Sequence, residues 1–372
     1  MIGIKYISPE GCNGYAEWGK SNLRILFKSE IPITYYPYRA DKTQLNDKFI
    51  DNEFINLIKK EIPYNIVVHN TIPPQAEMDK EIGKINVVMT IWETDKLCYD
   101  WVKILNKMDA VIVPSFFNKN VFIKSGVCVP IYVVPIPKRE FDFSINGKID
   151  LISGDEYIFY SIGQWTRRKG FEELLKSFCL AFKQSDKVAL VIKTYEADFS
   201  EKAKNTIRRC VLEELKSFNS PPKIILLLDE LTKEEMIALH SIGDCYVSFC
   251  KGEGWGLGAF DAACYGNPII MTDFGSQKEF LVNEHTYFIK KQMIPVKDMV
   301  MVGWYAEDQK WAMPDIEDGI RLLKEVYNNK NKAKSNGEKL KKYCEKNFSV
   351  DVVGRILIDT LSKISSKRRI KL

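Results

Sequence analysis

A chain of 372 residues, 45% hydrophobic and 28% charged, is long enough for two globular cores and too balanced in composition for a disordered or fibrous protein. The formal net charge of +5 is mild; it suits an anionic ligand or a membrane surface and argues against a dedicated nucleic-acid binder. Nine cysteines without a CxxC pair predict buried reduced thiols, not disulfides or zinc, and three dispersed histidines (His69, His240, His285) predict no metal cluster.

No apolar run approaches the roughly 20 residues of a spanning helix, and no signal-peptide pattern opens the chain. A cytoplasmic protein is expected, peripheral to a membrane at most.

The first strand is Ile2–Ile7. A loop with Gly11 and Gly14 leads to a helix over 15–27. Strand, glycine loop and helix open many nucleotide-binding α/β domains, but the same glycines suit an ordinary turn that needs positive φ. Further strands are expected over 31–38, 65–69 and 85–92, with a charged, partly helical stretch over 43–60. Trp92, Glu93, Thr94 and Asp95 close the fourth strand. Ligands gather at the carboxyl ends of parallel strands, so Trp92 and Glu93 are candidates for the acceptor side of a site. Thr94 or Asp95 as a helix cap is the plainer reading. A helix to Asn106, a strand over 109–115, a helix over 118–125 and a strand over 131–137 complete the first half. The polar segment 138–154 reads as a linker.

The second half opens with strand 157–163 and runs into Gln164-Trp165-Thr166-Arg167-Arg168-Lys169-Gly170 before a helix over 171–184. Three cations at a helix start oppose the macrodipole unless an anion offsets them. A diphosphate would do so; a solvated charge cluster is the plain alternative. Strands 188–193 and 223–228 and helices 200–218 and 233–240 continue the alternation. The apolar run Cys245–Cys250 then leads into Gly252-Glu253-Gly254-Trp255-Gly256-Leu257-Gly258 and a buried helix, Leu257–Tyr265, closed by Gly266-Asn267-Pro268. Strand 269–272 follows. Beyond Tyr287 the pattern loosens until helices over 316–328, 331–347 and 349–364 and a basic tail, Lys367 to Lys371. A solvated, disordered tail is the plain reading; a weak contact with an anionic membrane surface is the alternative.

Strands alternate with helices in both halves, which predicts two doubly wound α/β domains. The expected layout is an acceptor domain over 1–140, a linker over 141–155 and a donor domain over 156–346. Residues 347–372 form a final helix that crosses back to the first domain, and the tail.

Three stretches carry a family resemblance: Gly163 to Gly170, Glu253-Gly254-Trp255-Gly256-Leu257 with Asp261, and Gly275 with Glu279. Together they resemble the nucleotide-sugar-binding domain of retaining glycosyltransferase family 4. Trp311 to Asp315, Trp92-Glu93-Thr94 and Asp109 to Ser115 are similar to other stretches of part of that family. The resemblance implies the GT-B fold, two Rossmann-like doubly wound domains facing a central cleft. It also implies a hexosyltransferase that uses a UDP- or GDP-sugar and a glycan or lipid-linked acceptor, needs no metal or other cofactor, and binds no nucleic acid. Carried over by position, Arg168 and Lys169 would hold the leaving diphosphate, and Glu253 would bond donor-sugar hydroxyls. Gly163, Gly254, Trp255, Gly256 and Leu257 would line the donor, Asp261 would accept from the ribose hydroxyls, and Gly14 would admit the phosphate from the first domain. The chain departs from the family pattern at three places. The second acid is Asp, one methylene shorter than the usual Glu, and Gln164 stands where many members have Arg. Thr90 to Glu93 also occupies the region in which many members place a His.

Three other readings compete. Gly254 to Ala259 fits the G-x-G-x-x-A form of a dinucleotide fingerprint, with Asp273 about 20 residues on, as in an NAD-dependent dehydrogenase. Against it, the loop falls late in the βα series and carries an acid that would repel pyrophosphate. A GT-B protein that binds sugar or nucleotide without catalysis is the second. A pyridoxal-phosphate phosphorylase shares the two-domain plan but needs a Schiff-base lysine that the sequence does not single out.

Overall fold

The computed structural model describes residues 2–11, 13–38, 51–139, 155–196, 198–297 and 303–369. The chain divides into two compact units, one of residues 1–139 and 346–372 and the other of residues 140–345. Most of the 141–155 stretch read as a linker, the end of the basic tail and part of the charged 43–60 segment lie outside the described residues.

The first unit is built on a six-stranded parallel sheet: β1 (Ile4–Pro9), β2 (Ile33–Tyr38), β3 (Ile66–Asn70), β4 (Ile85–Met89), β5 (Ala110–Val113) and β6 (Ile131–Val133). The spatial order is β2-β1-β3-β4-β5-β6. Its central strands are covered on both faces, which is why they read as continuous apolar runs rather than alternating ones. Helix α1 (Gly14–Lys28) starts where the Asn13 side chain accepts from Ala16 N at 3.0 Å. Short helix α2 (Pro73–Met78) was not expected; two prolines open it, in the first turn where no backbone donor is needed. Helices α3 (Tyr99–Leu105) and α4 (Phe116–Lys124) follow β4 and β5.

Two strands end earlier than their apolar runs. The run at 85–92 leaves the sheet after Met89, because Trp92 N donates to the Asn118 side chain at 2.9 Å. The run at 131–137 ends at Val133, since Pro135 and Pro137 have no N–H for the ladder.

The second unit holds a six-stranded parallel sheet in the order β12-β11-β10-β7-β8-β9. Its strands are β7 (Tyr157–Gln164), β8 (Val188–Tyr195), β9 (Lys223–Leu227), β10 (Cys245–Ser248), β11 (Ile269–Thr272) and β12 (Tyr287–Ile289). Helices α5 (Phe171–Ala181), α6 (Glu201–Leu215), α7 (Lys233–Ile242), α8 (Leu257–Tyr265) and α9 (Ile316–Asn328) alternate with them or close the unit. Phe159, Phe178 and Phe182 meet at 5.1–5.8 Å between ring centroids in the core between β7 and α5. The loose stretch after Tyr287 folds as an antiparallel hairpin, β13 (Lys291–Pro295) with β14 (Lys310–Pro314). Helix α10 (Lys330–Phe348) leaves this unit. Helix α11 (Val350–Arg369) belongs to the first, where Gly354 packs close to Ile25 of α1. Among the described residues, no helix is long and apolar enough to cross a membrane.

Candidate functional site

In the second sheet β10 lies beside β7 although two strands, β8 and β9, come between them in the chain. This is where the winding direction reverses, the crevice in which doubly wound sheets place ligands. Two segments leave the carboxyl ends of these neighbouring strands. After β7 comes a 3-10 turn, Arg167–Lys169; after β10 comes the loop from Phe249 to Gly256.

Glycines set how near they come. Gly170 has φ +69°, and a Cβ there would stand 2.0 Å from the Phe249 carbonyl oxygen, so the turn lies directly against the start of the acidic loop. On the other side, Gly275 has φ +107° and a Cβ would come within 2.9 Å of the Glu253 carbonyl oxygen, which also accepts from Ser276 N at 3.2 Å. The Gly275 read from the sequence thus backs the Glu253 loop, while Glu279, half-buried, lies at the end of the following 3-10 turn.

Glu253 is buried, at 8% exposure. Its Oε1 accepts from Lys169 Nζ in a short ion pair, and its Oε2 lies 3.5 Å from Arg168 Nη1. The same Arg168 nitrogen donates to Gly252 O at 2.6 Å. Burial pushes the Glu253 carboxyl up, but the neighbouring Lys169 and Arg168 outweigh it and hold the group below its ordinary range. Glu253 is therefore a carboxylate at neutral pH, an acceptor of hydrogen bonds rather than a proton donor. Beside it, burial and the Glu253 charge push the Cys250 thiol up to about 12, so that thiol is no nucleophile. Arg167 turns elsewhere, to Glu172 at 2.7 Å.

The other donor-side residues fall around this cluster. Gly163 is in β7, and its missing side chain leaves room for the Lys169 stem, whose Cδ would be 3.4 Å from a Cβ. Gly254 is buried in the loop. Trp255, at 2% exposure, is packed against Phe260 and Phe280 at 5.3 and 5.2 Å, so it can offer its backbone but not its ring. Gly256, with φ +89°, caps α8, and Leu257 is that helix's first residue. The first N–H groups of this helix have no partner within the helix itself. Asp261 lies one turn further, at 1% exposure. The far end of α8 is tied down by Asn267, whose amide donates to Tyr160 OH at 2.8 Å and His240 O at 2.7 Å. Gln164, in the place of an expected cation, donates to Glu196 O at 2.7 Å.

In the first unit the winding reverses between β1 and β3. Gly14 is the exposed first residue of α1 there. The segment after β4 is held by two residues that the sequence did not single out. Tyr15 OH bonds Thr90 Oγ1 at 2.8 Å and accepts from Ile91 N at 3.3 Å. Asn118 is fully buried in the first turn of α4 and bonds both the N–H and the carbonyl of Trp92. A buried Asn in an apolar helix start was the available signal. Trp92 itself is buried against Trp101 at 4.7 Å, and its indole N–H donates to Thr94 Oγ1 and Lys96 O. It supports the loop and presents no open ring. Glu93 is half-buried.

Residues 143–298 match the family described as glycosyl transferases group 1. No curated protein matches the chain in sequence. Among solved structures, sucrose-phosphate synthase from Thermosynechococcus elongatus is similar at TM-score 0.71 and 12% identity, covering 99% of this chain and 100% of that one. The Anabaena protein HepE, in complex with UDP and glucose, is similar at TM-score 0.67 and 12% identity, over 98% of this chain and 100% of that one. A glycosyltransferase from Rickettsia africae is similar at TM-score 0.67 and 15% identity, over 98% of each chain. The family match spans both the cationic turn and the Gly254–Ala259 loop. The chain has the GT-B fold of two Rossmann-like units, and its residues 143–298 match the model of the family described as glycosyl transferases group 1.

Proposed function

We propose that the protein is a retaining hexosyltransferase that moves a sugar from a UDP- or GDP-sugar to a glycan or lipid-linked acceptor. The observation that carries this reading is the Arg168–Lys169–Glu253 cluster at the switch point of the second sheet. It sets two cations and one ionised carboxylate together at a helix start. That combination suits a ligand with a diphosphate on one side and hydroxyls on the other.

In the reaction, the bond between the anomeric carbon and the diphosphate oxygen breaks while a bond from the acceptor oxygen forms on the same face. The acceptor proton passes to the departing diphosphate. No enzymic nucleophile is needed. Arg168 and Lys169 stabilise the negative charge that grows on the diphosphate, and backbone N–H groups of Trp255 to Leu257 add donors. These two cations supply the positive charge, so the proposal includes no metal. Glu253 accepts from donor-sugar hydroxyls and sets the position of the anomeric carbon. Asp261 is assigned to the ribose hydroxyls. Gly14 is assigned to the donor phosphate and Glu93 to the acceptor. The bound UDP and glucose of the Anabaena protein are in keeping with this donor class.

The test is release of nucleoside diphosphate from UDP-glucose, UDP-N-acetylglucosamine and GDP-mannose, with EDTA present. Release by the wild-type protein and its loss in Glu253→Ala support the reading. Nucleotide binding without release in any donor and acceptor combination would leave a sugar- or nucleotide-binding protein instead.

A further inference from the structure

Two residues before Glu253, the acidic loop holds a lysine that the proposed chemistry does not use. The Lys251 side chain is 4% exposed, and its ammonium lies 2.7 Å from Glu173 in the first turn of α5. The same ammonium is 5.4 Å from the centroid of the Trp311 ring of β14. Its backbone is equally engaged. Lys251 N donates to Arg168 O at 2.7 Å, and Lys251 O accepts from Ala312 N of β14 at 2.8 Å. One loop residue therefore joins the cationic turn, the start of α5 and the hairpin.

A lysine in a loop normally extends into water, and burying its charge is costly unless a partner compensates. Methionine would fill similar space among the same neighbours without that cost. What the ion pair adds is direction, since an ammonium and a carboxylate bond at one separation, whereas an apolar side chain can slide. We propose that Lys251 is a positioning residue: its pair with Glu173 sets the loop against the Arg167–Lys169 turn, so that Glu253 meets Lys169 and Arg168 in register for the donor. The role in turnover rests on the proposed glycosyltransferase activity; the placement of the loop does not.

The experiment compares wild type with Lys251→Met, Lys251→Arg, Glu173→Gln and the apolar pair Lys251→Met/Glu173→Leu. The first readout, with no ligand, is amide exchange in peptides containing Lys251, Ser276 and Ala312, with β8 as an internal control. Exchange at least tenfold faster in these peptides for Lys251→Met, with β8 unchanged and Lys251→Arg close to wild type, supports the proposal. Wild-type exchange in Lys251→Met, or an increase of equal size in β8, overturns it. The apolar pair separates stability from placement: it should recover the thermal midpoint of wild type while the loop still exchanges fast. The second readout is turnover of UDP-glucose or GDP-mannose, whichever the wild type uses. In the apolar pair kcat should fall at least tenfold with KM within threefold; an unchanged kcat overturns the catalytic part. A wild type that turns over neither donor counts against the proposed function, and the exchange data still decide the positioning role.

Discussion

Lys169 and Glu253 are ion-paired across 84 positions of sequence, the first in the turn after β7 and the second in the loop after β10. The contact ties a cation suited to phosphate directly to an acid suited to hydroxyls. Lys169, with Arg168, holds Glu253 ionised despite its burial, and four measurements follow from this geometry and its surroundings.

Glu253→Ala removes the acceptor and leaves two half-buried cations that water can reach. Turnover of a nucleotide sugar should fall by about 100-fold or more, while circular dichroism shows the fold intact at the assay temperature. A kcat/KM equal to wild type would remove Glu253 from the site.

Lys169→Met leaves Glu253 buried with Arg168 as its remaining cation. In the wild type the depressed carboxyl contributes stability that is fully present above the ordinary glutamate range and is lost as pH falls through the lower folded value. In the variant the effect of burial should dominate and raise the carboxyl, so this contribution shrinks or changes sign. Denaturant unfolding between pH 3 and pH 7 should show a weaker rise in stability with pH than wild type. Parallel profiles would mean that Arg168 alone holds the charge.

Gly170→Ala meets both a positive φ and the Phe249 carbonyl at 2.0 Å. The cost should be about 3 kcal/mol or more, read by denaturant unfolding. Gly163→Ala is the contrasting case. Its Cβ would make ordinary contact with the Lys169 stem at 3.4 Å, so stability should change by less than about 1 kcal/mol while activity falls as Lys169 shifts. Equal costs at the two sites would contradict the described turn.

Lys193, at the carboxyl end of β8, is 5% exposed. Burial pulls its ammonium down to about 8, and Asp229 and Glu230 only partly offset this. The unfolded chain holds that proton more tightly than the folded one, so stability should rise as pH climbs from about 8 towards 10.5. Lys193→Met should be more stable than wild type at pH 7, by on the order of 1 kcal/mol, and should lack this alkaline rise. An identical pH profile would show that Lys193 is hydrated in the folded protein.

The sequence by itself determined the local elements and the chemistry of the pieces. Helix α8 was legible to the residue because glycines flank an apolar run, and both glycines adopt positive φ at its ends. The alternation of apolar strands with amphipathic helices specified two doubly wound units. The residue types for phosphate and for hydroxyls were also on view in Arg168, Lys169 and Glu253. What only the tertiary structure decided were pairings between distant segments. The β13–β14 hairpin joins two stretches whose first residues are 19 positions apart in the chain, and neither has a strand pattern that identifies its partner. The support from Tyr15 and Asn118 depends on which strand ends lie together. Above all, the sheet order places β10 beside β7 and not beside β9. The cationic turn and the acidic loop, which read as separate halves of a site, are therefore one bonded cluster. Sheet order follows from how crossover helices pack on the two faces of the sheet, a property of the whole unit that no local window of sequence contains.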